Sequence, residues 1–323
     1  MRGFAEECPE PPDENNVVNC AVLLASYNGC RFLPEQVRSI SSQSHAHIDL
    51  YISDDGSTDG SADFFRAEQA RWDKGAFVVL QGPKLGQAAE NFRSLILTPD
   101  LDADYVAFSD QDDVWMPGKL EAAIARLEGL PHDVPAMHCS RTRLIDEQGA
   151  DAGLSHYFPH APHFRNALVQ SLAGANTMVI NRAGFALLRK TAAHGSFAMH
   201  DWWAYIIISG AGGTIIYSDT PDTLYRQHKG NVFGSNQGIL AMAARLKMLF
   251  SGRFRNWNEK NLALLMACRD DLLPEHIACL TAFAAAHQGS LPLRLVNLWR
   301  SKVFRQTPGG QIMLYVACAM GRL

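Results

Sequence analysis

Six aspartates in two short loops carry the clearest chemical signal in the sequence: Asp54, Asp55 and Asp59 in the first, Asp110, Asp112 and Asp113 in the second. Carboxylates packed this closely repel one another unless a cation sits among them. A hard divalent cation, Mn²⁺ or Mg²⁺, prefers oxygen ligands and keeps positions open for phosphate. Asp110, Asp112 and Asp113 therefore read as a metal–diphosphate site, although a solvated acidic turn accounts for them about equally well, since Asp and Gly favour turns. Two other places hold groups able to do chemistry. His200-Asp201 opens an aromatic stretch with Trp202, Trp203 and Tyr205. From the residues alone Asp201 reads first as a helix cap. The competing reading is a general base in a water-poor pocket walled by Trp202 and Trp203. Leu224-Tyr225-Arg226-Gln227-His228, with Asn231 and Gly234 beyond, is a dense polar cluster. There His228 would ligate the metal and Arg226 would hold phosphate. A structural role for a lone histidine is the commoner case.

Positioning these groups needs strands that end where the loops begin. The apolar run Cys20–Ala25 ends in Ser26-Tyr27-Asn28-Gly29. Leu50–Ser53 ends in the first acidic loop, and Tyr105–Phe108 ends in the second. Helices are expected from about Leu33, with Pro34 in the first turn, over 61–71 and from Pro117 to Glu128, and a further strand at Phe77–Leu80. Strands alternating with helices imply an α/β fold with a parallel sheet and right-handed crossovers. In such a sheet ligands bind beyond the carboxyl ends of the strands, so all three polar loops gather at one edge. Further on, strands are expected at 136–140, 177–180 and 214–217 and a helix at 201–209. From 237 the pattern is helical, with helices near 237–250, 257–271, 274–287 and 292–304.

Composition narrows the class. The chain has 323 residues, is 47% hydrophobic and carries a net charge of −4, which gives no reason to expect nucleic acid as a partner. The seven cysteines are odd in number and form no CxxC pair, which fits a reducing, cytoplasmic setting and argues against zinc or a disulfide framework. There is no secretory signal pattern and no apolar run of the roughly 20 residues that a membrane helix needs. Residues 1–16 read as a disordered acidic tail. Residues 236–323 read as a helical, basic region, and its amphipathic helices would allow peripheral contact with the inner face of the plasma membrane.

Taken in order, Ala25-Ser-Tyr-Asn-Gly29, Ser53-Asp-Asp-Gly-Ser-Thr-Asp-Gly60 and Ser109-Asp-Gln-Asp-Asp-Val-Trp115 resemble family-2 glycosyltransferases, inverting enzymes of GT-A fold. Gly174-Ala-Asn-Thr177, His200-Asp-Trp-Trp203 and Tyr225-Arg-Gln-His228 extend the likeness to the bacterial rhamnosyltransferase-like branch. The resemblance covers about residues 17–235 and implies a Rossmann-like, mainly parallel mixed sheet flanked by helices. It also implies roles. Ala25, Tyr27, Asn28, Asp54 and Asp55 would hold the nucleotide, Asp110 and Gln111 would lie near the ribose, and Asp112 would bind the metal with Asp110 and His228. Asp113 would face the donor sugar, Arg226 the phosphates, and Asp201 would be the catalytic base. The expected donor is a nucleoside-diphosphate sugar, with rhamnose the sugar that the branch resemblance favours, and the expected acceptor a cell-surface glycan or a lipid-linked carrier. The Gln-x-x-Arg-Trp motif of processive members is missing, which favours one sugar per event. A sugar-1-phosphate nucleotidylyltransferase and a non-catalytic nucleotide-sugar binding module are the rival classes.

Overall fold

The structure is a computed structural model and describes residues 18–228 and 251–323. The expected acidic tail, the helix at 237–250, and Asn231 and Gly234 lie outside the described residues. The chain runs β1 (Asn19–Ser26), α1 (Leu33–Ser41), β2 (His47–Asp54), α2 (Ser61–Gln69), β3 (Phe77–Gln81), α3 (Ala88–Ile96), β4 (Tyr105–Ser109), β5 (Val114–Trp115) and α4 (Lys119–Glu128). It continues with β6 (Ala136–Ser140), β7 (Arg143–Ile145), β8 (Asp151–Leu154), α5 (Phe164–Ala167), β9 (Val179–Asn181), α6 (Arg182–Ala192), α7 (His200–Gly210), β10 (Thr214–Ser218) and β11 (Thr223–Arg226). Four further helices follow: α8 (Arg253–Ala267), α9 (Pro274–Ala285), α10 (Leu291–Ser301) and α11 (Pro308–Ala319).

β1 is buried along Cys20–Leu24 on both faces, as a central parallel strand must be. Its alternate residues serve two layers. Cys20, Val22 and Leu24 pack with Leu33, Val37 and Ile40 of α1 and with Leu120 and Ile124 of α4. Ala21 and Leu23 pack with Phe92 and Leu95 of α3 and with α6 and α7. The main sheet has seven strands in the order β10-β6-β9-β4-β1-β2-β3. The sheet is mixed and mainly parallel, as expected: β9 pairs antiparallel with both β4 and β6. A second sheet, β5-β11-β7-β8, was not anticipated. Its strands are two to four residues long, too short to show a period of two. α3 was also missed, because nine residues give barely two turns of pattern.

α7 is buried almost all round, from Trp202 to Gly210, because it lies between the main sheet and the C-terminal helices. Leu264 and Leu265 of α8, Leu280 and Phe283 of α9 and Leu314 of α11 join the same core as Ala21 and Phe108. The carboxyl-terminal helices thus complete one face of the α/β layer. Among the described residues no helix is long and apolar enough to cross a membrane.

Candidate active site

The loops after β1, β2 and β4 meet at one edge of the sheet, as the strand pattern required. Hydrogen bonds between them explain how. The Asn28 backbone N–H donates to Ser57 Oγ at 2.8 Å, and the Thr58 N–H donates to Asn28 Oδ1 at 2.8 Å. Asn28 sits at φ 49°, the left-handed region that asparagine tolerates. Gln111 joins the second acidic loop to the first segment: its Oε1 accepts from the Tyr27 N–H at 2.8 Å and from Ser26 Oγ at 3.1 Å, and its Nε2 donates to the Tyr27 carbonyl at 3.0 Å. A Cβ at Gly29 would stand 2.2 Å from that Oε1, so glycine there answers a close approach. Tyr27 is left 53% exposed beside this latch.

The three carboxylates of the first loop each have donors. Asp54 accepts from the Ser57 N–H and hydroxyl. Asp55 is buried and accepts from the backbone N–H groups of Lys84, at 2.6 Å, and Gly86, at 2.8 Å. Asp59 accepts from the Cys30 N–H at 2.9 Å and from Ser61 Oγ at 2.6 Å. Burial acts to raise the Asp59 pKa, but the hydrogen bonds from Ser61 and Cys30 outweigh it and hold the carboxyl below its usual value.

The second loop is different. Burial, then the charges of Asp112 and Asp201, push Asp110 up to about 7. Among the described residues no hydrogen-bond donor reaches its carboxylate. Burial, then Asp112 and Asp110, also holds Asp113 well above the ordinary range, even though Asn176 and the Arg226 N–H donate to it, the latter at 3.1 Å. Asp112 Oδ2 meets His228 Nε2 at 2.7 Å. The His228 ring is stacked on Phe32 with centroids 5.0 Å apart. This pair is set by strand register, since β5 follows the acidic loop directly and pairs with β11, two residues before His228. Asp112 and His228 come together as expected. Among the described residues, however, no three His, Cys, Asp or Glu side chains converge into a complete metal cage.

Arg226 takes a place that its sequence context did not reveal. It is 2% exposed; its Nε donates to the Asp112 carbonyl at 3.0 Å, its Nη1 to the Glu147 carbonyl at 3.2 Å, and its Nη2 to Glu35 at 2.5 Å. It braces the second loop from beneath. Glu35, Phe32 and Asn176 were not singled out as site residues. Only tertiary contact reveals them, apart from the presence of Asn176 in the Gly174–Thr177 motif.

Asp201 lies in the first turn of α7, not at its cap: Met199 is the N-cap residue, and no side chain caps that helix end. The cap reading of Asp201 is therefore corrected. Burial pushes its carboxyl up to about 6, against hydrogen bonds from the Trp202 N–H, at 2.7 Å, and Ser171. The expected pocket walls are also corrected. Trp202 and Trp203 are buried in the core, and their ring N–H groups donate to the Ala167 carbonyl at 2.6 Å and Thr191 Oγ1 at 3.2 Å. His200 stacks on Phe92 with centroids 3.7 Å apart, and burial lowers its pKa to about 3, so its ring is neutral.

Comparison with known proteins agrees with this architecture. The family described as glycosyl transferase family 2 matches residues 21–194, more than half of the chain. The dTDP-rhamnosyl transferase RfbG of Shigella flexneri is 29% identical over 239 residues, covering 72% of this chain and 81% of that protein. The putative teichuronic acid biosynthesis glycosyltransferase TuaG of Bacillus subtilis is 29% identical over 162 residues, covering 50% of this chain and 62% of that protein. Among solved structures, S. aureus TarS 1–349 in complex with UDP-GlcNAc superposes with a TM-score of 0.53 at 13% identity, covering 94% of this chain and 91% of that one. GalNAc-T7 with UDP, GalNAc and Mn²⁺ superposes with a TM-score of 0.55 at 11% identity, over 85% of this chain and 53% of that one. At such identities the likeness concerns the fold, which is GT-A.

Proposed function

Since this chain belongs to glycosyl transferase family 2, we propose that this glycosyltransferase moves one sugar from a nucleoside diphosphate to an acceptor hydroxyl, with inversion at the anomeric carbon and with a divalent cation. The observation that carries the reading is the contrast at the sheet edge: a crowded, protonation-prone acidic loop with the Asp112–His228 pair, and a raised Asp201 within electrostatic reach.

The nucleoside would lie against Tyr27, framed by Ala25, Asn28, Asp54 and Asp55, with Gln111 holding that segment to the acidic loop. Asp112 and His228 would hold the cation. A carboxylate with an imidazole suits Mn²⁺ better than Mg²⁺, because imidazole favours transition metals. When bound, the cation offsets charge on the departing diphosphate. Asp110 and Asp113 would sit by the ribose and the donor sugar, and Arg226 and Asn176 would keep that loop in place. Asp201 takes the acceptor proton as the new carbon–oxygen bond forms and the bond to the diphosphate breaks. Its pKa of about 6 suits a base working near neutrality. Likeness to RfbG favours dTDP-rhamnose as donor. A cell-surface glycan or a lipid-linked carrier is the acceptor we favour.

The test is a thermal-shift screen against UDP, dTDP and GDP, each with Mn²⁺ or EDTA, followed by donor consumption assays. A ligand that binds the native state raises its unfolding temperature. A Mn²⁺-dependent shift with dTDP and turnover of dTDP-rhamnose are expected. A shift without turnover of any donor would point to a binding module, and no shift with any nucleotide would overturn the site.

A further inference from the structure

The last two helices turn their apolar residues outward. On α10, Leu293, Val296, Trp299 and Arg300 recur at the three- and four-residue spacing of one helical face. Leu293 is 58% and Trp299 70% exposed, whereas Leu298 and Ser301 are buried. On α11, Ile312 and Val316 are four residues apart, with Met320 four beyond, and all three are exposed, Ile312 at 65%. α10 and α11 pack on each other, and Arg294 ties them by donating to the Ala319 carbonyl at 2.9 Å. Single exposed apolar residues need no explanation, but a patch shared by two adjoining helices does.

Charge identifies the occupant. Residues 276–323 contain Arg294, Arg300, Lys302, Arg305 and Arg322 and no Asp or Glu. Arg300, Lys302 and Arg322 are exposed. An exposed tryptophan with aliphatic neighbours, flanked by cations and free of acids, is the composition of a surface that lies in a headgroup layer. We propose that the outer face of α10 and α11 docks on an anionic lipid bilayer, with Trp299, Leu293 and Ile312 entering the interface and Arg300, Lys302 and Arg322 meeting the headgroups. None of these residues is among the candidate active-site residues.

The test is co-sedimentation of the full chain with vesicles of phosphatidylcholine, with and without phosphatidylglycerol. Binding is expected only with phosphatidylglycerol and should weaken as salt rises. Reversing Arg300 and Lys302 to glutamate is expected to lower the partition coefficient by more than about tenfold, since each cation near such a surface contributes measurably. Trp299→Ser should lower it severalfold while leaving the unfolding temperature unchanged, and Ile312→Ser gives the same reading from the other helix. Equal binding to neutral vesicles, or variants that bind as well as the wild type, would overturn the proposal. So would a wild-type dimer that Trp299→Ser converts to a monomer, since the face would then belong to a second copy.

Discussion

The two acidic loops look alike in sequence and differ in physics. In the first, Asp54, Asp55 and Asp59 each accept from backbone N–H groups or hydroxyls of their surroundings. In the second, Asp110 has no donor among the described residues, and burial together with neighbouring carboxylates raises both Asp110 and Asp113. The carboxylates of the first loop are all met by donors; the second keeps two carboxyls that burial and neighbouring charges hold above their ordinary range.

The sharpest break of this comparison is substitution in the active loop and at the base. Asp201→Asn is expected to lower turnover by about 10³-fold, within the range for loss of a general base, while leaving Mn²⁺-dependent nucleotide binding intact. Asp112→Asn should remove both, as read by the thermal shift. If Asp112→Asn keeps its Mn²⁺ response, the pair with His228 is not the metal site.

Next comes pH. Asp110 and Asp201 are raised to about 7 and about 6 from 3.8. These two groups therefore bind more protons folded than unfolded, and their own contribution to stability is present at low pH and lost as pH rises from about 4 to about 7, while the buried neutral His200 and His138 act in the opposite sense. Measured against Asp110→Asn, the wild type in EDTA should lose melting temperature across that window, and Mn²⁺ with nucleotide should restore the loss at neutrality. Transfer should rise as Asp201 ionises near pH 6. A difference between wild type and Asp110→Asn that stays constant over the same range would contradict the electrostatics assigned to the second loop.

A smaller effect is expected from Gly29→Ala, which drives a Cβ against Gln111 Oε1. The glutamine end can swing away, so the cost is about one hydrogen bond, roughly 1 kcal/mol, read as about a fivefold rise in donor KM. The least effect on turnover belongs to Asp59→Ala. It should cost about 1 kcal/mol of stability, as loss of a helix-start acceptor does, and leave kcat unchanged. A large fall in kcat there would erase the distinction between the loops.

Much of this was legible in the residues. Apolar strands ending in Asn28-Gly29, Asp54-Asp55 and Asp110 point to one ligand-binding edge, and the ordered motifs carry the family. Other parts were not. β5 and β11 are too short for periodicity, so nothing local announced that Asp112 and His228 would meet. Arg226 reads as a phosphate ligand in sequence because its partners are backbone carbonyls from distant segments. Asp201 read as a cap because Asp favours helix starts; its displacement by two positions from the cap depends on where the helix begins, and boundaries are the weakest part of any pattern.

The register that joins β5 to β11 also sets an order of assembly. Asp112 and His228 are separated by 116 positions, whereas the hydrogen bonds uniting the first two loops span about 30. On a chain emerging from the ribosome, the first two loops therefore have each other as partners long before Asp112 has His228.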